Sequence, residues 1–135
     1  QKQAPAQNGT SEIAFSDLGS QMREYIGFNT SIRLTQEQEA IKKAALESRP
    51  AACCKDYTAY TCCCECNLSK SVWGLANYLI AAKGYSAGDV SRTVGEWLAF
   101  ANPNGFSGDA CYQGGCSRSP SANGCGGMAE SDVVT

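Results

Sequence analysis

The sequence predicts an all-α fold: a small bundle of about four helices, a Cys-rich loop between the second and third, and an irregular Cys/Gly-rich C-terminal segment. Three observations predict it. Apolar residues recur at steps of three and four in four stretches, each opened by a residue that caps helices well. Six of the nine cysteines fall between Cys53 and Cys66, in a segment with no sustained helical or strand period. After Asn102-Pro103-Asn104-Gly105 the chain turns to Gly, Ser, Asn and Pro with only scattered apolar residues.

Residues 1–12 read as a flexible leader. The chain as given starts Gln-Lys-Gln-Ala-Pro-Ala-Gln-Asn-Gly-Thr, a composition expected downstream of a removed signal peptide. The expectation is therefore an extracytoplasmic protein, periplasmic, secreted or on the cell surface. Residues 13–101 form the helical Cys-rich domain. Its first helix follows from Phe15, Leu18, Met22 and Ile26, with Ser16 as cap and Gly27 as stop. The second opens at Thr35 with Gln38 in the N3 place, a capping box, and its stripe Ile41, Ala44, Ala45, Leu46 ends before Pro50. The third is expected from Leu68 to about Lys83, with Asn67 as cap, Val72, Leu75, Ala76, Leu79 and Ile80 on one face, and Gly84 beyond its end. The fourth starts at Ser86, places Asp89 at N3, and carries Val90, Val94, Trp97 and Leu98 to about Phe100. Residues 102–135 make the irregular tail, part of the same unit if cross-linked, because such a composition does not offset its ordering entropy by burial.

Composition narrows the function. A net charge of −2, a pI near 5.1 and 11 Lys+Arg leave no basic stripe, so nucleic acid is not an expected partner. The longest mostly apolar run, Leu75 to Ala82, is interrupted by Asn77 and falls short of the roughly 20 residues of a membrane span. Histidine is absent, which removes imidazole-based catalysis and every imidazole metal ligand. The remaining chemistry belongs to sulfur and carboxylate.

Three readings of the cysteines stay open. In the first, Cys53, Cys54, Cys62, Cys63, Cys64 and Cys66 are metal ligands, with Cys63-x-x-Cys66 entering a helix N-terminus that favours thiolate. All-sulfur donors suit Cu(I) first, then Zn or an iron–sulfur cluster. Cys111, Cys116, Cys125 and Met128 are possible accessory ligands, the three cysteines being equally possible disulfide partners. In the second, the cysteines form a disulfide framework that hardens a structural or assembly subunit. The odd count then points to a bridge between chains through the tail, hence a homo-oligomer or filament-like partner. In the third, Cys63-x-x-Cys66 is a thiol–disulfide redox pair, although no flanking βαβ pattern accompanies it. Asn67-Leu68-Ser69 also fits the glycosylation sequon.

One resemblance bears on this choice. Leu46-Glu47-Ser48-Arg49-Pro50, the closely spaced cysteines after it, Cys63-x-x-Cys66 entering a helix that runs to Lys83-Gly84, and a helix with Asp89-Val90 and Thr93-Val94 together resemble bacterial exported lipoproteins named for a Pro-Cys-Tyr-Cys-Gly-Cys motif. The likeness covers about residues 36–100. Here Pro50 is followed by Ala51-Ala52 before Cys53-Cys54, and the alternating triple is Cys62-x-Cys64-x-Cys66. The resemblance implies a cysteine module for metal or redox work. The leading expectation is an exported soft-metal protein that binds or carries Cu(I) through a thiolate cluster, without catalysis.

Overall fold

The computed structural model describes residues 13–62 and 65–133, the side chains of Cys111 and Glu130 excepted. Four α-helices follow in order: α1 (Leu18–Ser31), α2 (Gln36–Glu47), α3 (Asn67–Ala81) and α4 (Ala87–Ala101). Among the described residues there is no strand, only one isolated antiparallel bridge between Pro50 and Thr58. The all-α expectation holds. No helix of the described residues is long and apolar enough to cross a membrane.

Local chemistry explains most helix ends. Thr35 and Gln38 form the expected capping box of α2, and Ser86 Oγ accepts the Asp89 N–H at the start of α4. Two ends differ from the sequence expectation. Asp17, not Ser16, caps α1, and the helix continues through Gly27 to Ser31. The continuation is tertiary: Phe28 stacks on Tyr78 of α3 with ring centroids 5.0 Å apart, and that packing outweighs the local stop signal. At α3 the cap is Cys66, with Asn67 already inside the helix.

The core centres on α3, which packs along α1 and touches α2 and α4. Leu75, Ala76 and Leu79 of α3, Met22 and Ile26 of α1, and Val90, Val94 and Trp97 of α4 are buried together. Trp97 is fully enclosed, meets Tyr25 edge-on at 4.9 Å, and donates its indole N–H to Ser71 Oγ at 3.0 Å. Gly74 sets the α1–α3 separation. A Cβ there would sit 1.6 Å from the Tyr25 carbonyl oxygen and 2.8 Å from the Asn29 nitrogen, so only glycine admits this approach. Trp73 instead ties α3 to the Cys-rich loop, donating Nε1–H to the Ala59 carbonyl at 2.9 Å.

Two segments without α-helix complete the molecule. The loop after α2 is pinched shut by Ala51 N–H to Tyr57 O (2.9 Å) and Ala59 N–H to Arg49 O (3.0 Å). The tail forms short 3-10 turns at Ala110–Gln113, Gly115–Ser117, Pro120–Ala122 and Glu130–Asp132. Arg118 stitches it internally, donating to the carbonyls of Gln113, Ala122 and Asn123 at 3.1–3.2 Å. Polar satisfaction of the backbone thus does much of what apolar burial does elsewhere in the chain.

Candidate metal centre

The tail docks on the N-terminus of α3. A helix start leaves its first N–H groups without intrahelical partners, and here each of the first three is taken. Asn67 N–H donates to Gly127 O at 2.8 Å, Leu68 N–H to Cys125 O at 2.9 Å, and Ser69 N–H to Cys66 Sγ at 3.5 Å. The Asn67 side chain adds two more ties, donating Nδ2–H to Gly126 O (2.7 Å) and Ala129 O (2.9 Å). Asn67 is fully buried, which removes the sequon as a glycosylation site in this fold.

This docking brings sulfurs from three segments together: Cys53 from the loop, Cys66 from the α3 cap, and Cys125 from the tail. Their Sγ atoms all lie within 4.8 Å of one another and all three residues are buried. Cys62, half-buried, places its Sγ 3.7 Å from that of Cys53. A tetrahedral ion with metal–sulfur bonds of about 2.3 Å sets its sulfurs about 3.8 Å apart, and a planar three-sulfur ion about 4 Å apart. The Cys53–Cys62 separation matches such an edge, and Cys53, Cys66 and Cys125, within 4.8 Å of one another, form a group that could hold one ion. Beside Cys53 and Cys62 lies a small apolar recess lined by Ala51, Ala52, Ala59, Leu68 and Val72.

The electrostatics divide the cluster. Hydrogen bonding to Cys125, then to Cys62 and Cys66, together with burial, pushes the Cys53 thiol far above the ordinary range. The same contacts seen from Cys66, led by Cys125 and supported by Ser69, hold its thiol well below that range against the opposing effect of burial. Within the cluster the thiolate form is thus most favoured at Cys66, at the helix end whose partial positive charge supports it.

The other sulfurs sit elsewhere. Cys54, adjacent to Cys53 but directed away, donates to Tyr112 Oη at 3.3 Å, and the Tyr112 hydroxyl in turn donates to the Asp56 carboxylate. Those bonds, Asp56 first, push the Tyr112 phenol upward. Cys116 and Met128 line a surface groove. Cys63, Cys64 and the side chain of Cys111 lie outside the described residues. Cys125 is the cluster member that sequence spacing does not single out. The one local sign of it is its setting in Gly124-Cys125-Gly126-Gly127, which permits close backbone approach.

Comparisons with family models, with curated proteins and with solved structures give no match to this chain.

Proposed function

We propose that the protein binds and carries one soft metal ion, Cu(I), through Cys53, Cys66 and Cys125, with Cys62 beside them. The observation that supports this reading is the mutual approach of three buried sulfurs within 4.8 Å, in a chain that has no histidine to add an imidazole ligand. Thiolate-only sites select soft ions, and Cu(I) accepts three sulfurs where Zn(II) requires four ligands. Among the described residues, the division between three inner sulfurs and one half-buried neighbour favours the lower coordination number. It also gives carriage a route, since Cys62 offers an outer sulfur on which the ion exchanges. The proposed role is binding, in an extracytoplasmic setting, and needs no catalytic step.

A second reading rests on Cys62 itself. Its 3.7 Å separation from Cys53 nearly equals an edge of a ZnS4 tetrahedron, so a closed structural Zn(II) site is the alternative.

Metal analysis of protein purified without added reductant or chelator tests the proposal, together with a thiol count under denaturing conditions. The expected result is about one thiolate-bound copper per chain at the buried cluster, and that copper is lost in Cys66→Ser. Metal-free protein whose Cys53, Cys66 and Cys125 are oxidised to disulfides would sink it.

A further inference from the structure

We infer that Cys116 and Met128 form a second, surface site for a soft monovalent ion, separate from the buried cluster. Both residues line one open groove together with Ser117, Gly127 and Asp132. The backbone brings them there: Gly127 N–H donates to Cys116 O at 2.6 Å, so position 116 lies against 127 and next to 128. Cys116 is a thiol, half-buried at the groove. Met128 is 44% exposed, one of only three large apolar side chains so exposed among the described residues.

The methionine is not on a slack chain end. Lys70 Nζ donates to its carbonyl at 2.8 Å, Asn67 holds the next carbonyl, and Gly126 and Gly127 turn the backbone at φ of +77° and +92°. A Cβ on Gly127 would press to 2.7 Å from Asp132 Cβ, so the tight turn that presents Met128 depends on glycine. The Asp132 carboxylate, which accepts the Ala129 N–H at 3.3 Å, adds negative charge to the groove.

The donor chemistry defines the ligand. A thiolate with a thioether is a soft, two-sulfur set that takes Cu(I) or Ag(I) and offers little to Mg2+, Ca2+ or Zn2+. The site stands on the same short segment as Cys125, which the Gly115 carbonyl anchors through the Cys125 N–H at 2.9 Å. An ion held here is exposed to solvent, whereas one held by Cys53, Cys66 and Cys125 is enclosed. The inference does not require the buried cluster to be metallated.

The chain contains two methionines, Met22 and Met128, and Met22 is fully buried in the helical core. Full-length protein labelled with 13C at the methionine methyl groups thus gives two reporters, one of them an internal control. Ag(I), a diamagnetic probe, is titrated in without chloride. The Met128 methyl is expected to shift while Met22 stays in place, and Cys116→Ser is expected to remove that shift. Met128→Leu should lower by one the number of Ag(I) ions that resist a competing chelator. In a Cys53→Ser/Cys66→Ser variant the Met128 response should persist, which separates this site from the proposed cluster. A Met128 signal that is unmoved by Ag(I), or that moves equally in Cys116→Ser, overturns the inference. So does a response lost only when the buried cysteines are replaced, since Met128 would then report that cluster. Cys116→Ser and Met128→Leu, both at the surface groove, keep the test decisive if the double cluster variant fails to fold.

Discussion

Leu68 donates its backbone N–H to the carbonyl of Cys125 at 2.9 Å, so the residue that supplies the third sulfur also satisfies the first turn of α3. Metal bound by this cluster would thereby be coupled to tail docking. An ion bridging Cys53, Cys66 and Cys125 would cross-link loop, helix and tail. Removing metal with a thiophilic chelator is expected to speed proteolysis within residues 102–133 while the helical part resists. Equal cleavage rates with and without metal would show that docking does not depend on the cluster. The same linkage runs the other way: a ligand bound only by the folded state raises its apparent stability.

Asn67→Ala tests the docking without touching sulfur. The side chain donates to two tail carbonyls from a fully buried position, and its loss leaves both acceptors without that partner. The expected cost is about 2–3 kcal/mol, with Tm lower by roughly 10 °C in a domain of this size. Among the described residues Asn67 Oδ1 has no hydrogen-bond partner, so Asn67→Asp would place a charge where none of them donates to it and should be at least as damaging.

Gly74→Ala tests the helical core. With its added carbon 1.6 Å from a backbone oxygen of α1, the variant cannot be accommodated by a rotamer change and must part the two helices. A loss of about 3 kcal/mol or more is expected, read as a lower denaturant midpoint. An unchanged midpoint would mean that α1 and α3 are farther apart than described.

Alkaline pH should weaken the fold through its tyrosines. Burial, first, pushes Tyr25 up to about 12. The hydrogen bond from the Tyr60 hydroxyl to Glu39, at 2.7 Å, is the main cause that pushes Tyr60 up to about 12. Both phenols have folded values above the ordinary 10.0. Their contribution is therefore fully present below pH 10 and is lost as pH rises through about 12. Phenolate absorbance should reveal late-titrating tyrosines, and Tyr60→Phe should remove one of them.

The helices were legible because their signals are local: Thr35 with Gln38, and Ser86 with Asp89, act within one turn. The end of α1 was not, since Gly27 reads as a stop and only the distant Tyr78 shows why the helix continues through Phe28. The same holds at α3, where Asn67 is the better cap by composition. Its amide instead serves the tail, and Cys66 takes the cap. Within the site, the density of cysteines marks Cys53, Cys62 and Cys66 as chemistry-bearing. It does not show that Cys54 turns away to Tyr112, because neighbouring residues with the same side chain look identical in sequence. Cys125 joins through tail hydrogen bonds to α3, a long-range pairing that no periodicity encodes.

Cys62→Ser decides between the two metal readings. In the three-sulfur Cu(I) site, Cys62 is a neighbour and exchange ligand, so the variant should still bind one ion per chain, with affinity lowered by about tenfold or less, roughly 1.4 kcal/mol. Exchange of the bound ion with a competing thiol should slow, because the half-buried sulfur beside the Ala-lined recess is gone. In a tetrahedral Zn(II) site the same change removes one of four ligands, and a structural site of that kind should lose its metal under a competitor that the unaltered protein withstands. Cys54→Ser is the matching control, since Cys54 contacts Tyr112. The Cu(I) reading expects Cys54→Ser to keep its ion, Cys62→Ser to keep it with slower exchange, and Cys66→Ser to lose it. Loss of the ion in Cys62→Ser, with retention in Cys54→Ser, would move the assignment to the closed four-sulfur site.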